Sequence, residues 1–188
     1  AVTASHFARV AQLDRGLVPI AIFEPPIRAL LITSSEKPIE SVQAIRGQQV
    51  AFANPQSLVA MYAHKWLGAQ NLQIERDYYV KATRSDAGIG QLLLSGEAVA
   101  AVISNGEYRQ IPEEQRARLK IVAEFAQIPN FVVMAHPRLG GAFIGQLRGQ
   151  LKTFSTDAED GAKFREATGV AAVQEPSDVQ MRELDPYA

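Results

Sequence analysis

The sequence predicts an α/β protein, and three observations carry that expectation. Short apolar, β-branched runs such as LVPIAIF (17–23), RALLIT (28–33) and AVAAVI (98–103) alternate with stretches whose apolar residues recur at helical spacing. No internal repeat or low-complexity tract interrupts the alternation. The 188 residues, 47% hydrophobic and 21% charged, suffice to bury a core. Strands alternating with helices predict a parallel sheet with helices on its faces.

The elements follow in order. Phe7, Val10 and Ala11 stand at i, i+3, i+4 and predict a first helix, ended by Gly16. Residues 17–23 and 28–33 are strands on either side of Glu24-Pro25-Pro26, where the prolines enforce an extended bend. Residues 38–46 (PIESVQAIR) predict a short helix with Ile39, Val42 and Ile45 inward and Gly47 as C-cap. The strand QVAFA (49–53) leads through Asn54-Pro55-Gln56-Ser57 into a helix. That helix buries Leu58, Met61, Tyr62, Trp66 and Leu67, its first amides satisfied by Ser57 or Asn54. YYVKA (78–82) is a strand, and Ser85-Asp86 caps a helix that runs through Ile89, Leu92 and Leu93 to Gly96. Strands follow at 98–103 and 120–124, separated by a charged segment, 107–118, that reads as solvated surface. A strand at 130–135 precedes a helix with Phe143, Ile144, Leu147, Leu151 and Phe154 on its apolar face. A helix over 157–168, stopped by Gly169, and a short helix in the tail complete the chain.

Nineteen basic against twenty acidic residues leave a net charge of -1, which disfavours a broad nucleic-acid footprint. The absence of cysteine excludes disulfides, thiolate catalysis and cysteine-ligated metals. No apolar run approaches the ~20 residues of a membrane span. Residues 1–10 hold no signal-peptide core. His6, His64 and His136 share no metal-ligand spacing. His64, beside Lys65, reads as exposed and His136, before Pro137, as a loop residue, whereas His6 clusters with Thr3 and Ser5 at a helix start. GxSxG, GxxxxGK(S/T) and the complete dinucleotide fingerprint are missing, and the carboxylates form no pair suited to acid–base work. The sequence thus offers no positive sign of an enzyme and no cofactor motif.

What remains is a set of strand-to-helix turns tipped with small polar residues: Asn54 to Ser57, Ser85-Asp86, and Ser104-Asn105. In open α/β sheets ligands settle at the carboxyl ends of strands, where free amides and the helix dipole favour an anion or polar group. Capping accounts for each turn singly. Their recurrence is what suggests a pocket.

The run IRGQQVAFANPQS (45–57) resembles the L-K/R-G-K-x-V-A-F-x-D-P-x-S stretch of phosphonate/phosphite-type periplasmic substrate-binding proteins of ABC importers. DAGIGQLLLSGEAVAAV (86–102) is similar to that family's HDAALxAVxxGEADAxx, and IPNFVV (128–133) to its xIPNDPxVV. Ala167-Thr168-Gly169 and Leu184-Asp185-Pro186-Tyr187 fit the family's end. The resemblance implies a type II periplasmic-binding-protein fold: two α/β lobes, a two-strand hinge and a ligand cleft. It implies that residues 1–33 are the remainder of lobe one with the outgoing hinge strand, 34–128 lobe two, and 129–188 the return strand with the C-terminal part of lobe one. Lobe one would then lack about 60 to 80 residues at its start, roughly half a lobe. The implied function is non-catalytic solute binding in the periplasm, with a small-molecule ligand and the membrane subunits of an ABC transporter as partners. No nucleic acid, metal or cofactor is implied.

Departures from the family pattern point to an altered anion pocket. Where the family grips its anion with S-T-S-G, this chain has Ser57-Leu58-Val59-Ala60, so one hydroxyl of three survives. The family's histidine falls on Asp86, and its IPND becomes Ile128-Pro129-Asn130-Phe131. Each lost donor to a charged ligand costs about 1–3 kcal/mol. A carboxylate at Asp86 with Phe131 would suit a cationic or mixed polar–apolar solute. The expected ligand contacts in the middle of the chain are Asn54, Ser57, Leu58, Ser85, Asp86, Ser104 and Asn105. The flanking parts contribute Ser5, His6, Asn130 and Phe131. An extracytoplasmic ligand-sensing domain of a membrane-bound signalling protein is the alternative on the same fold.

Overall fold

A computed structural model describes residues 1–83 and 85–188, with Asp86 described by its backbone alone. The chain divides into two compact units, Ala1–Pro26 with Pro129–Ala188, and Ile27–Ile128. In the first unit, β1 (Val2–Thr3), α1 (Ser5–Arg15) and β2 (Val18–Glu24) open the chain. The second unit holds β3 (Ile27–Ser34), β4 (Gln48–Phe52), α2 (Leu58–Ala69), β5 (Tyr78–Ala82), α3 (Asp86–Ser95), β6 (Ala100–Ser104), α4 (Asn105–Gln110), α5 (Glu113–Arg116) and β7 (Leu119–Ile128). The chain then returns to the first unit with β8 (Val132–Ala135), α6 (Gly141–Thr156), α7 (Asp160–Thr168), β9 (Ala172–Gln174) and α8 (Asp178–Arg182).

The second unit is built on a five-stranded sheet in the order β5-β4-β6-β3-β7. Strands β5, β4 and β6 are parallel, and β3 runs antiparallel to both β6 and β7. Its core joins Leu30 and Ile32 of β3 to Ala51, Ala101 and Ile103 on the neighbouring strands, and to Ile89 and Leu93 of α3. Gly96 ends α3 at φ 78°, a left-handed conformation that costs glycine no steric penalty.

The first unit carries the order β1-β8-β2-β9, with every pair antiparallel. Ile20, Ala135 and Ile144 bury one cluster under α6, and Ala21, Val170 and Val173 bury another beneath α7.

The predicted parallel sheet is therefore realised only in β5-β4-β6. A helix between strands returns the chain in parallel, but β2 and β3 are joined by Pro25-Pro26 alone, and β7 and β8 by residues 129–131. Ile27–Ser34 lies wholly within the second unit. The helix expected at 38–46 shrinks to a 3₁₀ turn at Val42–Ile45, and the Ile39 amide ahead of it donates to the Thr33 hydroxyl. The charged segment 107–118 folds into α4 and α5 around a buried Ile111. The strand placed at 120–124 extends over Leu119–Ile128, paired along β3.

Two helix faces also differ from the expected ones. On α2 the buried residues are Leu58, Val59, Ala60, Ala63 and Leu67, whereas Met61 is 38% exposed. Small Ala60 and Ala63 let the helix lie close to the sheet. Trp66 instead stacks on Phe125 of β7, ring centres 4.9 Å apart. On α6, Phe143 and Phe154 stay exposed and Ile144 supplies the buried contact.

Candidate functional site

The parallel strands β4, β5 and β6 end together, with Phe52 opposite Ala82 and Val102 in register. Each runs straight into a helix, so three helix starts occupy one edge of one sheet. The Thr83 amide donates to the Phe52 carbonyl at 3.2 Å and holds two of the turns side by side.

After β4, the Asn54 side chain accepts from the Gln56 amide at 3.0 Å, and the Ser57 amide donates to the Asn54 carbonyl. Ser57 is the N-cap of α2: its Oγ accepts from the Ala60 amide at 3.2 Å. This leaves the Leu58 and Val59 amides without an acceptor among the described residues. The first turn of α2 holds no acidic residue. The side chains of Leu58 and Val59 are buried, so these positions face the site through their amides.

After β5, Ser85 Oγ accepts from the Gly88 amide at 3.1 Å and caps α3, while Ser85 and Thr83 bond one another. The side chain of Asp86, the expected counterpart of the family histidine, lies outside the described residues. After β6, Ser104 and Glu107 form a capping box, Ser104 Oγ accepting at 3.1 Å and Glu107 Oε2 at 2.7 Å. Glu107 places a carboxylate on that helix start, so α4 cannot welcome an anion as α2 can. Asn105 Oδ1 accepts from the Arg28 amide at 3.0 Å.

Arg28 is a residue that the sequence reading missed. It opens β3 at this same edge, and its Nε donates to Glu124 Oε2 at 2.6 Å. One strand, β6, lies between β3 and β4, so Arg28 is two strand spacings from β4, roughly 10 Å. Its signal in the sequence is position alone, directly after the double proline that turns the chain into β3.

In the first unit Ser5, Asn130 and Phe131 are held together where the chain leaves and returns. The Ser5 hydroxyl donates to the Pro129 carbonyl at 2.7 Å, which spends it on the fold. Asn130 donates to the Pro25 carbonyl at 2.8 Å and accepts from the Phe131 amide at 2.7 Å, and Phe131 is 44% exposed. His6 is buried, with neither ring nitrogen hydrogen-bonded, and burial lowers its proton affinity. The expected capping cluster of Thr3, Ser5 and His6 does not form: Thr3 lies in β1 and the N-cap is Ala4.

His64 departs from its expected exposed position. Its ring stacks on Phe52 at 5.3 Å and shares a 2.6 Å hydrogen bond with the buried Tyr78 hydroxyl. Burial lowers the pKa of His64 and pushes that of Tyr78 up to about 12. His136 stands in a loop, as read, with Nδ1 accepting from the Arg138 amide. Among the described residues, no group of three or more histidines and carboxylates could hold a metal. No described helix is long and apolar enough to cross a membrane.

Residues 1–181 match the sequence profile of the family described as "ABC transporter, phosphonate, periplasmic substrate-binding protein". The chain belongs to this family. Its members bind small-molecule ligands in the periplasm and deliver them to the membrane components of ABC transporters. Comparison with curated proteins finds no match by sequence. Among solved structures, PhnD1 from Prochlorococcus marinus in complex with methylphosphonate superposes with TM-score 0.80 at 10% identity, over 98% of this chain and 75% of its own. A Xanthomonas citri protein bound to chloride ion gives 0.77 at 18% identity, over 98% and 73%. The binding protein of a Pseudomonas aeruginosa ABC phosphonate transporter gives 0.74 at 15%, over 99% and 68%. At these identities the likeness shows the fold, which is that of type II periplasmic binding proteins. None of these comparisons supports the signalling alternative. For a phosphonate-type binding protein, the free amides and single hydroxyl at the start of α2 are the notable feature of this chain.

Proposed function

We propose that this protein captures a small oxyanion for an ABC importer in the periplasm, and that it holds the solute without transforming it. The oxyanion sits at the edge where β4, β5 and β6 end. The observation that carries this reading is the start of α2: two amides without acceptors, a serine hydroxyl, and no acidic residue in the first turn. A helix start of this kind favours negative charge through its dipole and its unpaired N–H groups. Asn54, Ser85, Ser104 and Asn105 border it, with Asp86 at the start of α3.

Leu58 and Val59 stand where the resembled family pattern has two further hydroxyl residues, and their buried aliphatic side chains cannot donate. With each missing donor worth about 1–3 kcal/mol, the affinity for a phosphonate is weaker by one or more orders of magnitude than with a full set. Titration calorimetry against methylphosphonate, inorganic phosphate and a quaternary amine tests the reading. Oxyanion binding in the micromolar range is expected. Binding of the amine with no response to either oxyanion overturns it.

A further inference from the structure

We propose that the first unit carries a binding site of its own, for a small organic carboxylate, in the cavity between α6 and strands β2 and β9. Every residue of this site belongs to the first unit, so it is independent of what the start of α2 holds in the second.

The cavity measures about 480 Å³, within the range of roughly 300–1,000 Å³ usual for small-molecule sites. Its floor is apolar. Ile20 and Ala21 are neighbours on β2, yet both line it, because β2 bulges between Pro19 and Ala21 and leaves Ile20 without a register partner on β8. Val173 of β9 completes the floor, and all three residues are buried. The facing wall is α6, where Arg148 and Lys152 stand one turn apart on the same side. Gly149 lies beside them. A glycine inside a helix costs stability relative to alanine, and here a Cβ would meet no neighbouring atom within 4 Å. What the missing side chain leaves is an open wall.

Arg148 supplies the polar recognition. Its Nη1 pairs with Glu175 Oε1 at 3.0 Å, and its Nη2 donates to the Pro19 carbonyl at 3.4 Å, a long bond. Its Nε is buried and has no hydrogen-bond partner among the described residues. Buried donors are paired in the great majority of cases, so this N–H calls for an acceptor from outside the protein. Nε and Nη2 share one side of the guanidinium fork, which matches the two oxygens of a carboxylate in a planar, bidentate pair. Lys152 makes no ion pair among the described residues. The ionisable groups lining the cavity are Arg148, Lys152 and Glu175, so two cations against one anion leave a single positive charge, which one carboxylate neutralises. The buried floor suits a hydrocarbon body attached to that carboxylate. Inorganic phosphate has none.

The test is an amide NMR titration of the full chain with hexanoate, repeated with acetate, in saturating methylphosphonate, and on the variants Lys152→Glu and Gly149→Leu. Hexanoate should give saturable shifts gathered at residues 148–156 and 172–175, and bind at least about tenfold more tightly than acetate. Lys152→Glu should weaken it about tenfold or more by reversing the charge. Gly149→Leu should close the cavity and abolish binding while raising the Tm, since leucine is the better helix former. Should that variant fail to fold, Lys152→Glu, at an exposed position, still decides. No saturable shift at these residues overturns the inference, as does hexanoate binding that Lys152→Glu leaves unchanged. Acetate that binds as tightly as hexanoate overturns it by showing a bare anion contact, and displacement of hexanoate by methylphosphonate does so by showing one shared site. Loss of the hexanoate site alone leaves the oxyanion reading standing, because that reading is carried by the second unit.

Discussion

Ser57 has two duties that substitution can separate. Its Oγ accepts from the Ala60 amide at 3.2 Å and closes α2, while its hydroxyl proton remains available to a ligand. Ser57→Ala removes both. Losing the cap costs about 1 kcal/mol, or roughly 2–4 °C in Tm for a chain of this length. Losing one hydrogen bond to a charged ligand weakens binding by about 1.5–3 kcal/mol, on the order of ten- to a hundredfold. Ser57→Asp keeps a side-chain acceptor for Ala60 and puts negative charge at a helix start, so the melting point holds or rises. The same carboxylate faces the oxyanion. Two unit charges about 4 Å apart at an effective dielectric near 20 repel by roughly 4 kcal/mol, close to a thousandfold in affinity. Scanning calorimetry gives the stability arm and titration calorimetry with methylphosphonate the binding arm. A Ser57→Asp protein that binds as tightly as wild type would refute the placement of the anion. Unchanged affinity in Ser57→Ala with a lowered Tm would reduce Ser57 to a cap.

Three further outcomes follow from the packing and the titrating groups. Leu30→Ala, at a fully buried position of β3, should cost about 2–5 kcal/mol in urea unfolding, whereas a loss below 1 kcal/mol would show that the site collapses. Asp77 is held below the usual carboxylate range by the Gln73 amide first, then by Arg76 and Arg46, so its stabilising contribution is present above the unfolded value. The deficit of Asp77→Asn should therefore be complete above about pH 4 and fade as the pH falls further; a deficit constant down to pH 2 would contradict this. His64 is kept neutral by burial, so the unfolded chain binds the proton more readily and stability should fall as the pH drops below about 6.5. His64→Phe, which retains a ring over Phe52, should flatten that slope in denaturant titrations at about pH 5.5 and 7.5, and an unaltered slope would clear His64 of the effect.

Much of the second unit could be read from residues in order. The apolar runs at β4, β5 and β6, and the serines that follow or end them, are local signals of strand and cap, and Ser57, Ser85 and Ser104 each accept the expected amide. Strand direction was less legible. Nothing within Pro25-Pro26 or residues 129–131 announces that the chain reverses there without a helix, so the antiparallel β3, β7 and first-unit sheet were lost to the alternation rule. Long-range partners were invisible for the same reason. His64 next to Lys65 looks exposed until Tyr78, fourteen positions on, supplies its hydroxyl. Ser5 looks like a cap until Pro129, more than a hundred residues away, claims it. Arg28 joins the candidate site only because β3 pairs with β6, a register that hydrophobic pattern does not encode.

The central claim is that an oxyanion is held by the start of α2 at the shared edge of three parallel strands. Backbone amide NMR during a methylphosphonate titration addresses it directly, because the groups said to bind are themselves observed. The account predicts the largest shifts at Leu58 and Val59, with smaller ones at residues 83–88 and 104–107. Saturable binding that leaves the Leu58 and Val59 amides unmoved, with the shifts gathered elsewhere, would contradict it.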